Sequence, residues 1–477
     1  MSRINTNIAS LNSITNLTRN NSDLETSLKR LSTGLRINVA KDDPAGLIAS
    51  ENLRSEMAGL EAGIENSTRA SNVIATAEGA LNEINALLVD IKGLLVNTAN
   101  KGALSEEEID ANQLQVDSAI NTIQRIANAT EFEGIKLLNG NLSYTTSSVN
   151  TAQIAEMSIN AAKLIDGATM EVTIAQTTSA QKGEVFFSGA ANTSGALSIQ
   201  FGSGRGTTEI TFASATTIAD MKTAINALTE VTGVTASAST SGLRLNSVDY
   251  GSDAYVSVKI LSGNHAHDFV FRGAAADSEK QDYGRDVAAT INGTSAIGKG
   301  KVLTIRTAML DAEIDLTSTQ AESNSSITIG ITGGGADFAI GSKVDAIGLE
   351  SVGIMNVAPS YLGNAADGYL NTLKSGATNS LSGDNLYTAQ RIVDDAIKDI
   401  ATLRGRLGAF QKNVLETNIN SLQVTLENVT ASESAIRDAD FATETAALTR
   451  SQILVQANTS VLSIANSMPQ SVLALLG

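Results

Sequence analysis

Two imidazoles occur in the whole chain of 477 residues, His265 and His267 in "GNHAHDF", with Asp268 beside them. Imidazole and carboxylate are good transition-metal ligands, but a closed zinc site takes four, and no further His and no Cys exists to complete the set. A solvated turn is the simpler reading. "GSGRG" at 202–206 has the glycine density of a phosphate-cradling loop without the Lys and Ser/Thr that such a loop carries at fixed spacing. Turn glycines account for it. Adjacent carboxylates could divide general acid and base work, and two pairs invite that reading, Asp42 with Asp43 and Asp394 with Asp395. The first pair precedes a helix start, where a carboxylate caps free amides; the second is expected on an exposed helical face. Without Cys there is neither thiolate chemistry nor a disulfide framework. No catalytic, cofactor or metal site is expected, and the chain reads as a non-enzyme.

Composition points the same way. The formal net charge of −17 denies the basic footprint that a nucleic acid or an anionic membrane surface requires. Apolar residues make up 42% but aromatics 4%, so small and aliphatic side chains must do the packing. The length allows about three domains. No apolar run approaches the roughly 18 residues of a membrane span, and "MSRINTNIASLNSITNL" lacks the unbroken apolar core of a secretory signal.

The elements that must do the positioning are long helices. Leu53, Met57, Leu60, Ile64, Ser67, Ser71, Ile74, Ala77, Leu81, Ile84, Leu88, Ile91 and Leu95 alternate steps of four and three, the period of a coiled-coil face. "KDDPAG" starts that helix, with Asp43 as cap and Pro44 at the first helical position. "SEEE" starts another, in which Ser105 and Glu108 have capping-box spacing ahead of Ile109, Val116, Ile120 and Ile123. A third seam runs through Leu386, Ala389, Val393, Ala396, Ile400, Leu403, Leu407, Phe410, Val414, Thr417, Ser421 and Val424. Three such stripes can bury only against each other, so the chain leaves a bundle and returns to it. The three prolines, Pro44, Pro359 and Pro469, leave the long helices unbroken.

Between Asp166 and Ile347 charge thins and short alternating segments appear: "MEVTIAQ", "ALSIQF", "TEITFA", "LRLNSV", "AYVSVKIL", "VLTIRT" and "SITIGIT". One helix is expected over Ile218–Leu228, followed by a hairpin in "VTGVTASASTSGLRLNSV". The fold class is therefore α+β and multidomain: long terminal helices forming coiled-coil or bundle domains discontinuous in sequence, around a central β-rich insertion. At the chain ends, Ile4, Ile8, Leu11, Leu28, Leu31 and Leu35 mark one helix. Phe441, Leu448, Val455 and Leu462 form a heptad row near the other end, with a second row, Ala447, Leu454, Val461 and Met468, beside it, and apolar character persists through Val472, Leu475 and Leu476. Two adjacent rows exceed what one partner helix covers. Contiguous apolar surface of that kind marks an interaction site, and self-assembly is the expectation.

"LSTGLRINVAKDDPAGLIASENL", "AEGALNEI", "LRGRLGAFQKNVLETNINSL" and "IRDADFATETAALTRSQILVQANTSVLSIANSMPQSVLALLG" resemble bacterial flagellin, in the family's order and at both ends of the chain, over about half its length. The segment from Ala196 to Ser247 is similar to a module that recurs in flagellin insertions. The resemblance implies an inner tube built by 1–44 with 433–477, an outer tube built by 45–165 with 348–432, and a surface-exposed insertion at 166–347. In it Ile4, Ile8, Leu11, Leu28, Leu31, Leu35, Phe441, Leu448, Leu454, Val455, Val461, Leu462, Val472, Leu475 and Leu476 serve the subunit interface. The bundle core consists of Leu53, Leu60, Ile74, Leu81, Ile84, Leu88, Ile91, Leu95, Ile400, Leu403, Leu407 and Phe410. It further implies a head-to-tail helical polymer used as a propeller, an extracellular filament location, passage through a flagellar export apparatus without a cleaved signal, and an export chaperone and filament cap as partners. The family's Arg-rich patch for a vertebrate Toll-like receptor corresponds here to Asp90, Leu94 and Gln115, so weak receptor recognition is expected.

Two other readings share parts of this pattern. A hook–filament junction protein has the same terminal helices; "MPQSVLALLG" and "LRGRLGAFQ" favour the filament subunit. A surface adhesin would act through the insertion, and deletion of 166–347 would abolish its function while sparing a polymer.

Overall fold

The computed structural model describes residues 6–164, 169–188, 193, 195–239, 242–263, 270–271, 279–345, 347–383 and 385–476. Ile4, His265, His267 and Asp268 lie outside the described residues. The helices are α1 (Ile8–Thr33), α2 (Pro44–Thr98), α3 (Glu106–Ala129), α4 (Ile218–Asn226), the one-turn α5 (Thr229–Thr232) and α6 (Ser318–Ala321), then α7 (Leu386–Phe410), α8 (Thr417–Arg437) and α9 (Phe441–Leu476). Their ends follow local chemistry. Asn7 caps α1 by accepting from Ser10 N, and Gly34 ends it at φ +73°. Asp43 Oδ1 accepts from Gly46 N at 2.9 Å as α2 opens on Pro44. Ser105 and Glu108 close a full capping box on α3.

The chain divides into two compact units. One comprises Met1–Ala70, Ala339–Gly348 and Lys412–Gly477; the other Ser71–Phe338 and Leu349–Gln411.

In the larger unit, α2 beyond residue 70, α3 and α7 bury their apolar stripes. Ile74, Leu81, Ile84, Leu88, Ile91 and Leu95 of α2, Val116, Ile120 and Ile123 of α3, and Val393, Ile400, Leu403 and Leu407 of α7 are all at most 2% exposed. Each such side chain contributes about 1.5–3 kcal/mol on leaving water. Polar links run along the α2–α7 seam at positions one or two heptads apart: Ser71 with Gln411, Glu78 with Arg404 and Lys92 with Asp394. Phe410 is half-buried and stacks on Phe338 at 6.2 Å between ring centres.

The third seam departs from its sequence reading after Phe410. Residues Gln411–Glu416 form a π-helix, whose wider turn takes in an extra residue. The inward row accordingly slips by one: Leu415 is buried, Leu422 half-buried, while Thr417, Ser421 and Val424 face solvent. A smaller shift occurs on α2, where Gly63 and Ala70 are buried and Ile64 and Ser71 half-buried.

The β-rich part of this unit has two cores. One lies between a five-stranded and a four-stranded antiparallel sheet and includes Ile174, Ile291, Leu303, Ile314, Leu316 and Ile329. The other lies between two four-stranded sheets with α4 and includes Phe187, Phe201, Ile225, Leu245 and Val258. Each of the seven sequence-predicted segments is a strand, and Val234–Ser239 with Gly242–Ser247 is the expected hairpin. "GSGRG" is the turn joining Leu197–Ser203 to Gly206–Phe212, with Arg205 paired to Asp249 at 3.0 Å. The sheets also recruit Tyr144–Ser147 and Ile154–Ala162, which the sequence reading had assigned to the helical region ending at 165. The second of these breaks register twice against Leu310–Leu316, so it has no clean period-two pattern to read.

In the smaller unit, residues 44–70 of α2 are joined to α8 through Arg437, which reaches Glu51 Oε1 at 3.1 Å, and through Ser50, which donates to Glu433 Oε1 at 2.8 Å. Leu35 bridges Asp438, Arg36 N donates to Arg437 O at 2.7 Å, and Ala439 N to Gly34 O at 2.9 Å. These bonds set the departure of α1 beside that of α9.

Candidate assembly surface

Helices α1 and α9 pair along their length, and small and polar residues lie deepest between them. Ser13 and Ser27 of α1 and Glu444, Ser451 and Ala465 of α9 are buried. Leu17, Leu24 and Leu31 of α1, and Leu448, Val455 and Leu462 of α9, are half-buried among them. Polar groups fix the register at both ends: Asn7 Nδ2 donates to Ala465 O at 2.7 Å, and Arg30 Nη1 pairs with Glu444 Oε1 at 2.9 Å. Small side chains let the backbones approach, but they bury little area.

The aliphatic sides are turned outward. Ile8, Leu11, Ile14 and Leu28 of α1, with Phe441, Ile453, Leu454, Val461, Ile464 and Met468 of α9, are between 42% and 68% exposed. On α9 the last five fall at i, i+1, i+8, i+11 and i+15, one side of the helix. Of the two heptad rows read from sequence, Leu448, Val455 and Leu462 turn toward α1, and Leu454, Val461 and Met468 toward solvent. Leu35 is half-buried at the bridge to Asp438. Val472, Leu475 and Leu476 belong to the last turns of α9, and their side chains lie outside the described set. Ile453 and Ile464 were missed by the heptad reading because they lie off both rows.

Of the bundle-core candidates, Leu53 is half-buried, as is Phe410, and the other ten are buried. Asp90 and Gln115 are exposed and Leu94 half-buried.

The carboxylates singled out in the sequence do structural work. Asp42 accepts from Asn38 N and Val39 N, both at 3.1 Å, and these backbone hydrogen bonds hold its pKa below the usual value. Asp394 and Asp395 are half-buried rather than exposed, because α7 lies against α2 on one side and the face of a β-sheet on another. Asp394 pairs with Lys92 at 2.6 Å. Asp395 lines a cavity of about 320 Å³ with Glu156, Glu313, Asp315, Lys398, Asp399 and Arg406. Burial pushes the Asp399 carboxyl up to about 7, with Glu156 and Asp395 adding to it against a hydrogen bond from Gly363 N at 3.3 Å. Sequence offered no sign of Asp399, since its neighbours come from a distant strand. Among the described residues, no group of three or more His, Cys, Asp or Glu is placed to hold a metal ion, and no helix is long and apolar enough to cross a membrane.

A chain whose paired terminal helices leave a stripe of aliphatic side chains exposed to solvent is completed by other molecules, and its class is that of a self-assembling structural subunit. Comparison with known proteins agrees. "Bacterial flagellin N-terminal helical region" matches residues 4–143, "Bacterial flagellin C-terminal helical region" 390–476, and "Flagellin hook IN motif" 196–249. The chain is 31% identical to the B-type flagellin of Pseudomonas aeruginosa over 533 residues and 29% identical to a flagellin of Salmonella typhimurium over 506, with 99% of each chain covered in both cases. A solved structure of FlgL from Xanthomonas campestris matches 79% of this chain and 98% of its own at 14% identity and a TM-score of 0.27, too slight a likeness to carry an argument. The chain belongs to the bacterial flagellin family and is a structural subunit of the flagellar filament.

Proposed function

We propose that the outward sides of α1 and α9 are the surfaces through which copies of this chain join into the filament, and that these helices build its inner tube. The observation that carries this reading is the stripe Ile453, Leu454, Val461, Ile464 and Met468, left uncovered by α1. In an open helical polymer each contact is head-to-tail and repeats without closing. Copies stacked in that way would cover the stripe and remove its apolar area from water. The bundle of α2, α3 and α7 then serves the outer tube and the β-rich part projects outward, with no enzymatic role.

The test is seeded polymerisation of Val461→Asp and Ile464→Asp. Both are expected to leave the circular dichroism spectrum of the free chain unchanged and to reduce the sedimentable polymer at least tenfold. Polymer at the unmodified yield from both variants would sink the proposal.

Family membership further supports an extracellular location, export without a cleaved signal, and an export apparatus, a chaperone and a filament cap as partners. Exposed Asp90 and Gln115 stand where a receptor-binding patch would need Arg and Glu, so reporter cells carrying the Toll-like receptor are expected to respond weakly; full potency would refute this.

A further inference from the structure

One amine in the larger unit is set into the structure where the chain passes from one β core to the other. Lys182 is half-buried, and both residues beside it are held by backbone bonds. Gln181 N donates to Arg285 O at 2.8 Å and Arg285 N to Gln181 O at 2.9 Å. Gly183 N donates to Ser247 Oγ at 3.0 Å, and Ser247 N donates to Gly183 O at 3.0 Å. A Cβ at Gly183 would fall 2.7 Å from Asp282 O, so a neighbouring strand runs close there. The side chain is placed by a ring. Lys182 Nζ lies 4.8 Å from the centre of Tyr250, which packs on the core around Ile314 and donates its hydroxyl to Glu322 Oε1 at 2.6 Å. Among the described residues, Nζ has no hydrogen-bond or ion-pair partner. Burial pushes the amine below the ordinary lysine pKa, against Glu322 and Asp249, with Lys301 adding to the lowering. Beside it opens a cleft of about 620 Å³, lined by Ser179, Gln181, Glu184, Asn246, Asp282 and Tyr283.

We infer that Lys182 is a modification site for neutral hydroxy-aldehydes, its amine condensing with the carbonyl carbon while the cleft receives the hydroxyl groups. A lysine is a nucleophile only when neutral, and an amine kept partly out of water and without an anion partner is neutral more of the time. The unprotonated amine adds to the carbonyl carbon to give a carbinolamine, which expels water and leaves a C=N bond. No electrons change hands, and the aldehyde is the one co-reactant. The cleft decides which aldehyde. Glu184, Asp282 and Glu322 line it with carboxylates, which disfavours an anionic carbonyl compound. Arg244 already engages Glu184 at 3.1 Å, while Asp282 Oδ2 accepts from Glu184 N and Glu322 Oε1 from Tyr250, so the second oxygens of Asp282 and Glu322 are left to accept from hydroxyls. Tyr283 is exposed at the edge of the cleft and offers a ring face to carbon-bound hydrogens.

The test treats the full chain at pH 7 with glyceraldehyde and with cyanoborohydride, which reduces each imine to a stable secondary amine, and reads the modified lysines by peptide mass spectrometry. Lys182 is expected to be modified at least threefold faster than Lys222 and Lys412, which are exposed. With glyoxylate, an anionic aldehyde, that preference is expected to disappear. Glu322→Gln keeps an oxygen for the Tyr250 hydroxyl and removes a carboxylate that holds the ammonium charged, so it is expected to speed modification of Lys182 at least twofold, with the circular dichroism spectrum unchanged. Tyr250→Ala lets water reach the amine and is expected to bring its rate down to that of Lys222. Modification of Lys182 no faster than of Lys222 would overturn the inference, and a preference as large with glyoxylate would overturn the class of aldehyde. Neither result touches the assembly reading, which does not involve Lys182.

Discussion

Asp399 sits where a charge is least welcome. Its carboxyl is pushed up to about 7 chiefly by burial, and Glu156 across the cavity and Asp395 on the same helix add to that, while Lys398 and the amide of Gly363 oppose it. Glu156 and Asp395 are likewise raised, in both cases first by burial. The folded pKa of Asp399 exceeds its unfolded value, so the folded state holds the proton longer. The native state then carries no penalty below about pH 4, loses stability as pH rises from there toward 7, and carries the full penalty above it. A shift of this size is worth up to roughly 4 kcal/mol, and water reaching the cavity lowers that. Asp399→Asn is expected to stabilise α7 at pH 8 by about 1–2 kcal/mol and to flatten its pH dependence between 4 and 7. Hydrogen exchange of the α7 amides at several pH values reads both effects. An unchanged profile would show that the cavity solvates the charge.

Glycine has opposite uses along the one element α2. Gly59 is required by contact, since its Cβ would meet the carbonyl of Ser342, whereas a Cβ at Gly79 meets nothing within 4 Å. Gly59→Ala is expected to cost about 1–3 kcal/mol by overpacking and to release 339–348 to protease. Gly79→Ala should stabilise the free chain by about 0.5–1 kcal/mol through helix propensity; thermal melts of the two variants should move in opposite directions. Further along, Leu88 is fully buried, and Leu88→Ala is expected to cost about 2–5 kcal/mol because the seam cannot close over the cavity. A loss below about 1 kcal/mol would mean that the seam repacks.

For the molecule as a whole, the informative excision follows the hydrogen bonds. Deleting 166–347 would strand Ile154–Ala162, whose partner is Leu310–Leu316. A cleaner cut lies at Gln181 and Arg285, whose backbones already exchange hydrogen bonds at 2.8 and 2.9 Å. The described residues between 182 and 284 share a core of their own, from Val185 to Ile260. Removal of 182–284 is expected to leave a folded chain that polymerises at near the unmodified yield, measured by sedimentation after seeding. A folded but non-polymerising product would place part of the assembly surface in this module.

Sequence by itself determined the helices, their caps, the seam from Leu81 to Leu95, most of the strands and the hairpin at 234–247, because these depend on patterns within a few turns of chain and on residues whose backbone preferences are local. Tertiary structure decided the rest. The π-turn at Gln411–Glu416 moved the third seam by one residue, an insertion that a fixed heptad count cannot detect. Strands Tyr144–Ser147 and Ile154–Ala162 pair with Ser326–Gly334 and Leu310–Leu316, each more than a hundred residues away. The acidic cavity around Asp399 exists only where α7 meets a distant sheet. Two heptad rows on α9 announced a surface too broad for one partner, but which row turns to α1 and which to solvent was settled by where Ser13, Ser27, Ser451 and Ala465 allow two backbones to come close. Side-chain periodicity reports how many faces a helix must cover; only packing says what covers each.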